Sequence, residues 1–262
     1  MPSNARDPIF PRWNQTHREI PMRPISITFP AVSIGAAVLL GLALSLPLGP
    51  GHADSAPRAL PAPALDVTPS GAGLQTAVFA GGCFWGVQGV FEHVKGVTQA
   101  VSGYAGGHVA NPNYEQVSSG ATGHAESVSV TFDPGRVSYG KLLQIFFSVA
   151  LDPTQVDRQG PDWGTQYRSE LFVSGPEQER VARAYLAQLE AAHVFNRPIA
   201  TRIDAAERFY PAEAYHQDYL DRNPDAPYIA INDLPKVHSL QTLFPESWQA
   251  APVTVGKLAS GN

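Results

Sequence analysis

"TAVFAGGCFWGVQGVFEHV" (76–94) carries the pattern from which the rest of the fold can be read. Residues 76–80 are a short apolar run, the mark of a strand. Gly81 and Gly82 follow and let the backbone turn sharply. Cys83, Val87, Val90, Phe91 and Val94 then recur at helical spacing. A strand therefore ends, turns on two glycines and enters a helix at the only cysteine of the chain.

Working outward, the elements alternate. Residues 97–105 ("VTQAVSGYA") read as a second strand. Residues 125–135 ("AESVSVTFDPG") alternate apolar and polar side chains and then turn at Asp133-Pro134-Gly135. A helix is expected over 138–149 with Ser138 as its N-cap, then a strand over 168–174. A second long helix is expected over 174–192, opened by a capping box of Ser174 and Glu177, and a strand over 198–206. The order β-α-β-β-α-β predicts an α+β fold, a ferredoxin-like (split βαβ) two-layer sandwich. Helices should cover one face of a mainly antiparallel sheet. After about residue 206 a coil-rich C-terminal extension with short helices is expected.

The chain has 262 residues, 44% hydrophobic and 16% charged, enough for one domain with a proper core. Its formal net charge is −5, and it has no run of Lys and Arg that would suit nucleic acid. One cysteine excludes an internal disulfide and a Cys-rich metal site, and the eight histidines form no metal-binding signature. Residues 1–53 read as a secretory leader, with Met22 as an alternative start. The apolar stretch 31–48 precedes Gly51 and Ala53, small residues of the kind a signal peptidase reads. A periplasmic or secreted protein is expected, without a membrane partner once the leader is cut; an uncleaved anchor is the alternative. Residues 54–73 are rich in Pro and Ala and read as a linker, 74–248 as the catalytic domain and 249–262 as a flexible tail. Both methionines, Met1 and Met22, fall in the leader.

The chemistry centres on Cys83. First-turn amides and the helix dipole at this position favour negative charge, so the sulfur is expected to be a nucleophilic thiolate, its pKa lowered from the ordinary ~8.5. Phe84 and Trp85 beside it read as an exposed pair forming an apolar cup. Glu126 shares strand parity with Val128 and Val130 and should point to the same apolar side. Burial favours a neutral carboxyl, able to donate a proton near neutral pH. Two polar-aromatic loops carry Tyr114 (106–117) and Asp162, Trp163 and Tyr167 (160–169). Tyrosine hydroxyls there are able to hydrogen-bond a substrate oxygen.

In order along the chain, "GGCFWG", "GYAGG", "NPNYEQV", "GHAESV", "DPTQ", "DWGTQYRS" and "AEAYHQDYL" resemble the motifs of A-type peptide methionine sulfoxide reductases, over roughly residues 75–236. The resemblance implies reduction of methionine S-sulfoxide, free or in oxidised proteins. It implies Cys83 as nucleophile and Glu126 as acid. Tyr114 and Tyr167 would hold the sulfoxide oxygen, with Asp162 ordering that site and Phe84 and Trp85 receiving the S-methyl group. It implies no metal and no organic cofactor. Many family members carry a further cysteine that resolves the Cys83 sulfenic acid, and this chain has none. An external thiol is therefore expected, thioredoxin-like or glutathione/glutaredoxin-like, acting on a monomer. Two other readings stay open: a cysteine acyl-transfer enzyme, which needs a histidine partner, and a sulfoxide-binding or redox-sensing module that does not turn over.

Overall fold

The computed structural model describes residues 57–67 and 73–256. The expected leader, residues 54–56 and 68–72 of the expected linker and residues 257–262 lie outside the described residues.

Strand β1 (Gln75–Gly81) leads through the two glycines into helix α1 (Phe84–Glu92). Strand β2 (Val97–Ala105), short helix α2 (Tyr114–Ser118), strand β3 (Ala125–Phe132) and helix α3 (Tyr139–Ile145) follow. Helix α3 runs on into a π-helical turn at Phe146–Ala150. Two-residue strands β4 (Arg158–Gln159) and β5 (Asp162–Trp163) form a small hairpin, and a 3-10 turn (Thr165–Tyr167) precedes strand β6 (Ser169–Val173). Helix α4 (Pro176–Ala191), strands β7 (Arg202–Ala205) and β8 (Tyr210–Pro211), and helices α5 (Tyr219–Arg222) and α6 (Leu234–Leu243) complete the order. A second π-helical turn, Ile229–Asp233, opens into α6.

Six strands form one sheet in the order β7-β6-β1-β3-β2-β8. β1 pairs antiparallel with both β3 and β6, β2 pairs antiparallel with β3, and only β7 runs parallel to its neighbour. Helices and a mixed sheet make an α+β fold. The strand alternation separates two faces. Phe79, Val128, Val130 and Phe132 pack with α1, α3 and α4 in the main core, while Val78, Ala80, Ala125 and Phe172 form a smaller cluster on the other face. Pro211 and Tyr210 pair with Gly103 and Tyr104, which brings the C-terminal extension back beside β2.

Local chemistry sets the helix ends. Ser138 caps α3 as expected, its hydroxyl accepting from the Lys141 amide at 3.1 Å. The expected capping box at Ser174 is not formed. Gly175 is the N-cap of α4 and Pro176 its first residue, where a missing N–H costs nothing. The Ser174 amide instead donates to the Gln178 side chain at 3.0 Å. Helix α2 lies in the 106–117 stretch expected to be a loop, and Asn113 and Gln116 form a full capping box at its start.

Two segments expected to be loose are docked. Residues 57–67, taken from composition as linker, lie as a strap along α3 and α4. Leu60 is buried, its amide donates to Ser148 and its carbonyl accepts from Gln144. Tyr185 holds the Pro61 carbonyl, and Asp66 accepts from Ser138 and from the Gly140 amide. Proline removes backbone freedom and donors, which suits a segment held by its carbonyls. At the other end, Gln249 and Val253 donate backbone bonds to His93 and Glu92, so the chain stays packed on the domain past residue 248.

Candidate active site

Gly82 holds a φ of +88°, and a β-carbon there would meet the Gln159 side chain at 2.5 Å. The turn therefore requires glycine and delivers Cys83 to the N-cap of α1. The sulfur is not on the surface: Cys83 is 8% exposed. Burial pushes its thiol well above the usual range, and any negative charge that forms on the neighbouring Glu126 or Asp233 pushes it further. Lys236 and the Trp85 amide act the other way and do not prevail. The expected low-pKa thiolate is thus corrected to a neutral thiol. A helix terminus contributes about 1 kcal/mol at most in open settings, less than the loss of hydration around a buried sulfur.

Glu126 enters from β3 on the side its parity predicts and is 2% exposed. Its Oε2 accepts from the Phe84 amide at 3.0 Å. One first-turn donor of α1 is therefore aimed at the carboxyl rather than at the sulfur. Burial nevertheless raises Glu126 to about 8, against the Phe84 amide, with Asp162 and Asp233 adding to the rise. At neutral pH the carboxyl keeps its proton.

The structure brings together every site residue expected from the sequence. A pocket of about 180 Å3 is lined by Cys83, Glu126, Tyr114, Tyr167 and Asp162, with Phe84 and Trp85. Tyr114 comes from the start of α2, Tyr167 from the 3-10 turn and Asp162 from the β4–β5 hairpin. Burial raises both phenols, Tyr114 to about 12, so both remain donors. The volume falls below the ~300 Å3 at which drug-sized pockets begin; it suits one small polar group on a short side chain.

The cup is half exposed rather than fully so. Phe84 is buried to 1% and belongs to the core, whereas Trp85 is half-buried. Phe84 turns inward because the N-terminus of α1 is packed under the C-terminal extension. Trp85 stacks on Tyr219 at 4.0 Å and donates its indole N–H to His216 Nδ1 at 3.2 Å. His216 also lies against Tyr114, ring centres 4.5 Å apart.

Four further residues of the site were missed from the sequence. Tyr228 lines the pocket and donates a short hydrogen bond to Asp162. His216, Tyr219 and Glu213 brace the aromatic wall. Glu213 accepts from the Tyr114 amide and from the Tyr104 hydroxyl, each at 2.9 Å. The three-residue spacing of Glu213, His216 and Tyr219 was a usable signal; Tyr228, in the turn after Pro227, offered none. Among the described residues no histidine lines the pocket, and the nearby His216 ring accepts from the Trp85 indole through Nδ1. Among the described residues no group of three or more His, Cys, Asp or Glu is placed to hold a metal ion.

The family model described as peptide methionine sulfoxide reductase matches residues 75–248. Peptide methionine sulfoxide reductase MsrA 2 of Mesorhizobium japonicum is 57% identical over 183 residues, 70% of this chain and 94% of that protein. The protein of the same name from Synechocystis is 46% identical over 220 residues, 83% of this chain and 99% of that protein. Among solved structures, methionine sulfoxide reductase A of Corynebacterium diphtheriae is similar with a TM-score of 0.51 and 35% identity, covering 60% of this chain and 79% of that one. Mxr1 of Saccharomyces cerevisiae in reduced form is similar with a TM-score of 0.53 and 32% identity, covering 58% and 87%.

Proposed function

The chain belongs to the peptide methionine sulfoxide reductase family, A type, and is an enzyme that reduces methionine sulfoxide in protein repair; we propose that it does so through one sulfur atom, Cys83, in a one-cysteine cycle. The observation that carries this reading is the pocket that gathers Cys83, Glu126 and the two phenols around one small volume.

Burial keeps the proton on Glu126 near neutral pH, and negative charge on Glu126 would raise the Cys83 thiol further, so the pair keeps at least one proton between them. That proton is what a sulfoxide needs. The Cys83 sulfur attacks the sulfoxide sulfur while Glu126 protonates the oxygen and Tyr114 and Tyr167 donate hydrogen bonds to it. The oxygen passes to Cys83 as a sulfenic acid, the sulfoxide sulfur gains two electrons and leaves as methionine, and the thiol proton restores Glu126. Phe84 and Trp85 take the methyl group, which fixes one epimer, the S-sulfoxide. Asp162, engaged by Tyr228, orders the wall beside the phenols. No metal or organic cofactor enters this cycle.

An external thiol completes it, thioredoxin-like or of the glutathione/glutaredoxin kind, because the chain has no second cysteine. The scaffold is read as a ferredoxin-like unit; the inner strand order β6-β1-β3-β2 supports this. We also infer a periplasmic or secreted location from the apolar leader, and a monomeric enzyme. The test is a count of methionine formed from a peptide methionine S-sulfoxide without reductant. One equivalent per enzyme, with sulfenic acid trapped on Cys83, is expected. Absence of both would overturn the assignment of these residues.

A further inference from the structure

A second cavity, of about 280 Å3, also reaches Cys83. It shares only Cys83, Asp162 and Tyr228 with the sulfoxide pocket. Asp162 and Tyr228 are bonded to each other and form the common wall. The remaining walls come from the π-helical turn after α3 with the loop behind it, the β4–β5 hairpin, the docked strap, Phe195, and the start of α6 with Asn232 before it.

Its charges are unequal in availability. The Asp152 carboxylate is taken up by Thr154, Gln155 and Arg197. Asp162 is engaged by Tyr228, and Lys236 is paired with Asp233 at 3.0 Å. Arg58, on the strap, lies over the Phe195 ring at 5.5 Å and has no carboxylate partner among the described residues. Among the described residues the cavity therefore offers one cation without a carboxylate partner, at a wall the catalytic steps do not use.

We propose that this cavity admits and binds a low-molecular-weight thiol bearing a carboxylate, with Arg58 holding the carboxylate while the thiol reduces the Cys83 sulfenic acid. The inference rests on the one-cysteine cycle above. Displacement at sulfur is in line, so the attacking sulfur enters away from the oxygen. The oxygen arrives from the sulfoxide pocket, which leaves the second cavity as the approach. A folded protein would have to bring its cysteine past the strap to a sulfur that is 8% exposed, whereas a small thiol fits the space as built. The thiol sulfur bonds to Cys83 and the S–O bond breaks. The oxygen leaves as water, carrying the thiol proton. A second molecule of the same thiol then attacks the mixed disulfide, returning Cys83 as thiol and leaving the oxidised small disulfide.

The experiment uses the full-length chain, wild type and Arg58→Glu, with glutathione as the probe. Its carboxylate-free counterpart is 2-mercaptoethanol. Arg58 is exposed and touches none of the reacting groups, so the reductant-free yield of one methionine per enzyme is expected to stay unchanged. The glutathione KM is expected to rise about tenfold, as for reversing one partly exposed charge facing an anion, and turnover with 2-mercaptoethanol to stay the same. A full methionine yield with equal glutathione KM in both proteins would overturn the thiol site alone. A slower single turnover of peptide sulfoxide in Arg58→Glu, with unchanged thiol kinetics, would assign the cavity to the substrate peptide instead. No methionine from either protein would overturn both this inference and the cycle beneath it.

Discussion

Two glutamates flank Tyr114, and they are treated oppositely by their surroundings. Glu126, under β3, is buried with a single amide donor, and its carboxyl is raised to about 8. Glu213, in the C-terminal extension, is half-buried; partial burial pushes it up, but the Tyr114 amide and Tyr104 hydroxyl hold it below the ordinary carboxylate range. The same side chain is an acid in one region and a fixed anion in the other. What separates them is the number of donors set against the loss of water. One glutamate can supply a proton to a substrate; the other can only hold a tyrosine in place.

The strongest way to break this contrast is exchange of each for glutamine. Glu126→Gln keeps the acceptor for the Phe84 amide but removes the proton donor. Its single-turnover rate is expected to fall by about 10²–10⁴, the usual range for a lost general acid. Glu213→Gln should cost less than about tenfold, as a positioning change of one hydrogen bond to a charged group. Comparable losses in the two variants, measured by rapid quench, would sink the distinction.

Stability offers the next reading. The folded-state pKa of Glu126 lies above its ordinary value of 4.5, so between about 4.5 and about 8 the folded protein holds a proton the unfolded chain has released. Stability from this group is therefore present at low pH and lost as pH rises through that window, by up to about 5 kcal/mol. Urea unfolding across pH 5–8.5 should show a downward slope in the wild type that Glu126→Gln flattens. The rate should follow the same group: single turnover falls above about pH 8 as the acid ionises, and the glutamine variant loses that limb.

Smaller effects sharpen the picture. Tyr167→Phe removes one donor to the sulfoxide oxygen and should slow single turnover about tenfold, with the fold unchanged by circular dichroism. Tyr104→Phe removes a donor from Glu213 at a distance from the pocket. A loss of about 1 kcal/mol in unfolding free energy is expected, with little change in rate.

The legible part of the molecule is the part set by local pattern. The strand-turn-helix around Cys83, the face of Glu126 and the Ser138 cap follow from spacing and side-chain chemistry within a few residues. The α2 capping box is equally local, carried by Asn113 and Gln116 three residues apart, while Gly175-Pro176 outweighs Ser174 because proline favours the first helical position. The rest depends on distant chain. Tyr228 reaches Asp162 across 66 residues, and Leu60 reaches Ser148 across 88. No periodicity records such approaches. The protonation of Cys83 failed for the same reason: the helix start is visible in the sequence, but the burial of its sulfur and the nearness of Asp233 are not.

The burial of Cys83 has a bearing on survival. Oxidants attack exposed thiolates far faster than protonated, covered thiols. Beyond Met22 the chain carries one sulfur atom, and that atom is held as a buried thiol. Beyond residue 22, a repair enzyme so composed offers peroxide or hypochlorite no methionine of its own to convert to sulfoxide. Past that point it cannot suffer the lesion it exists to reverse, and its one sulfur atom is the atom that reverses it.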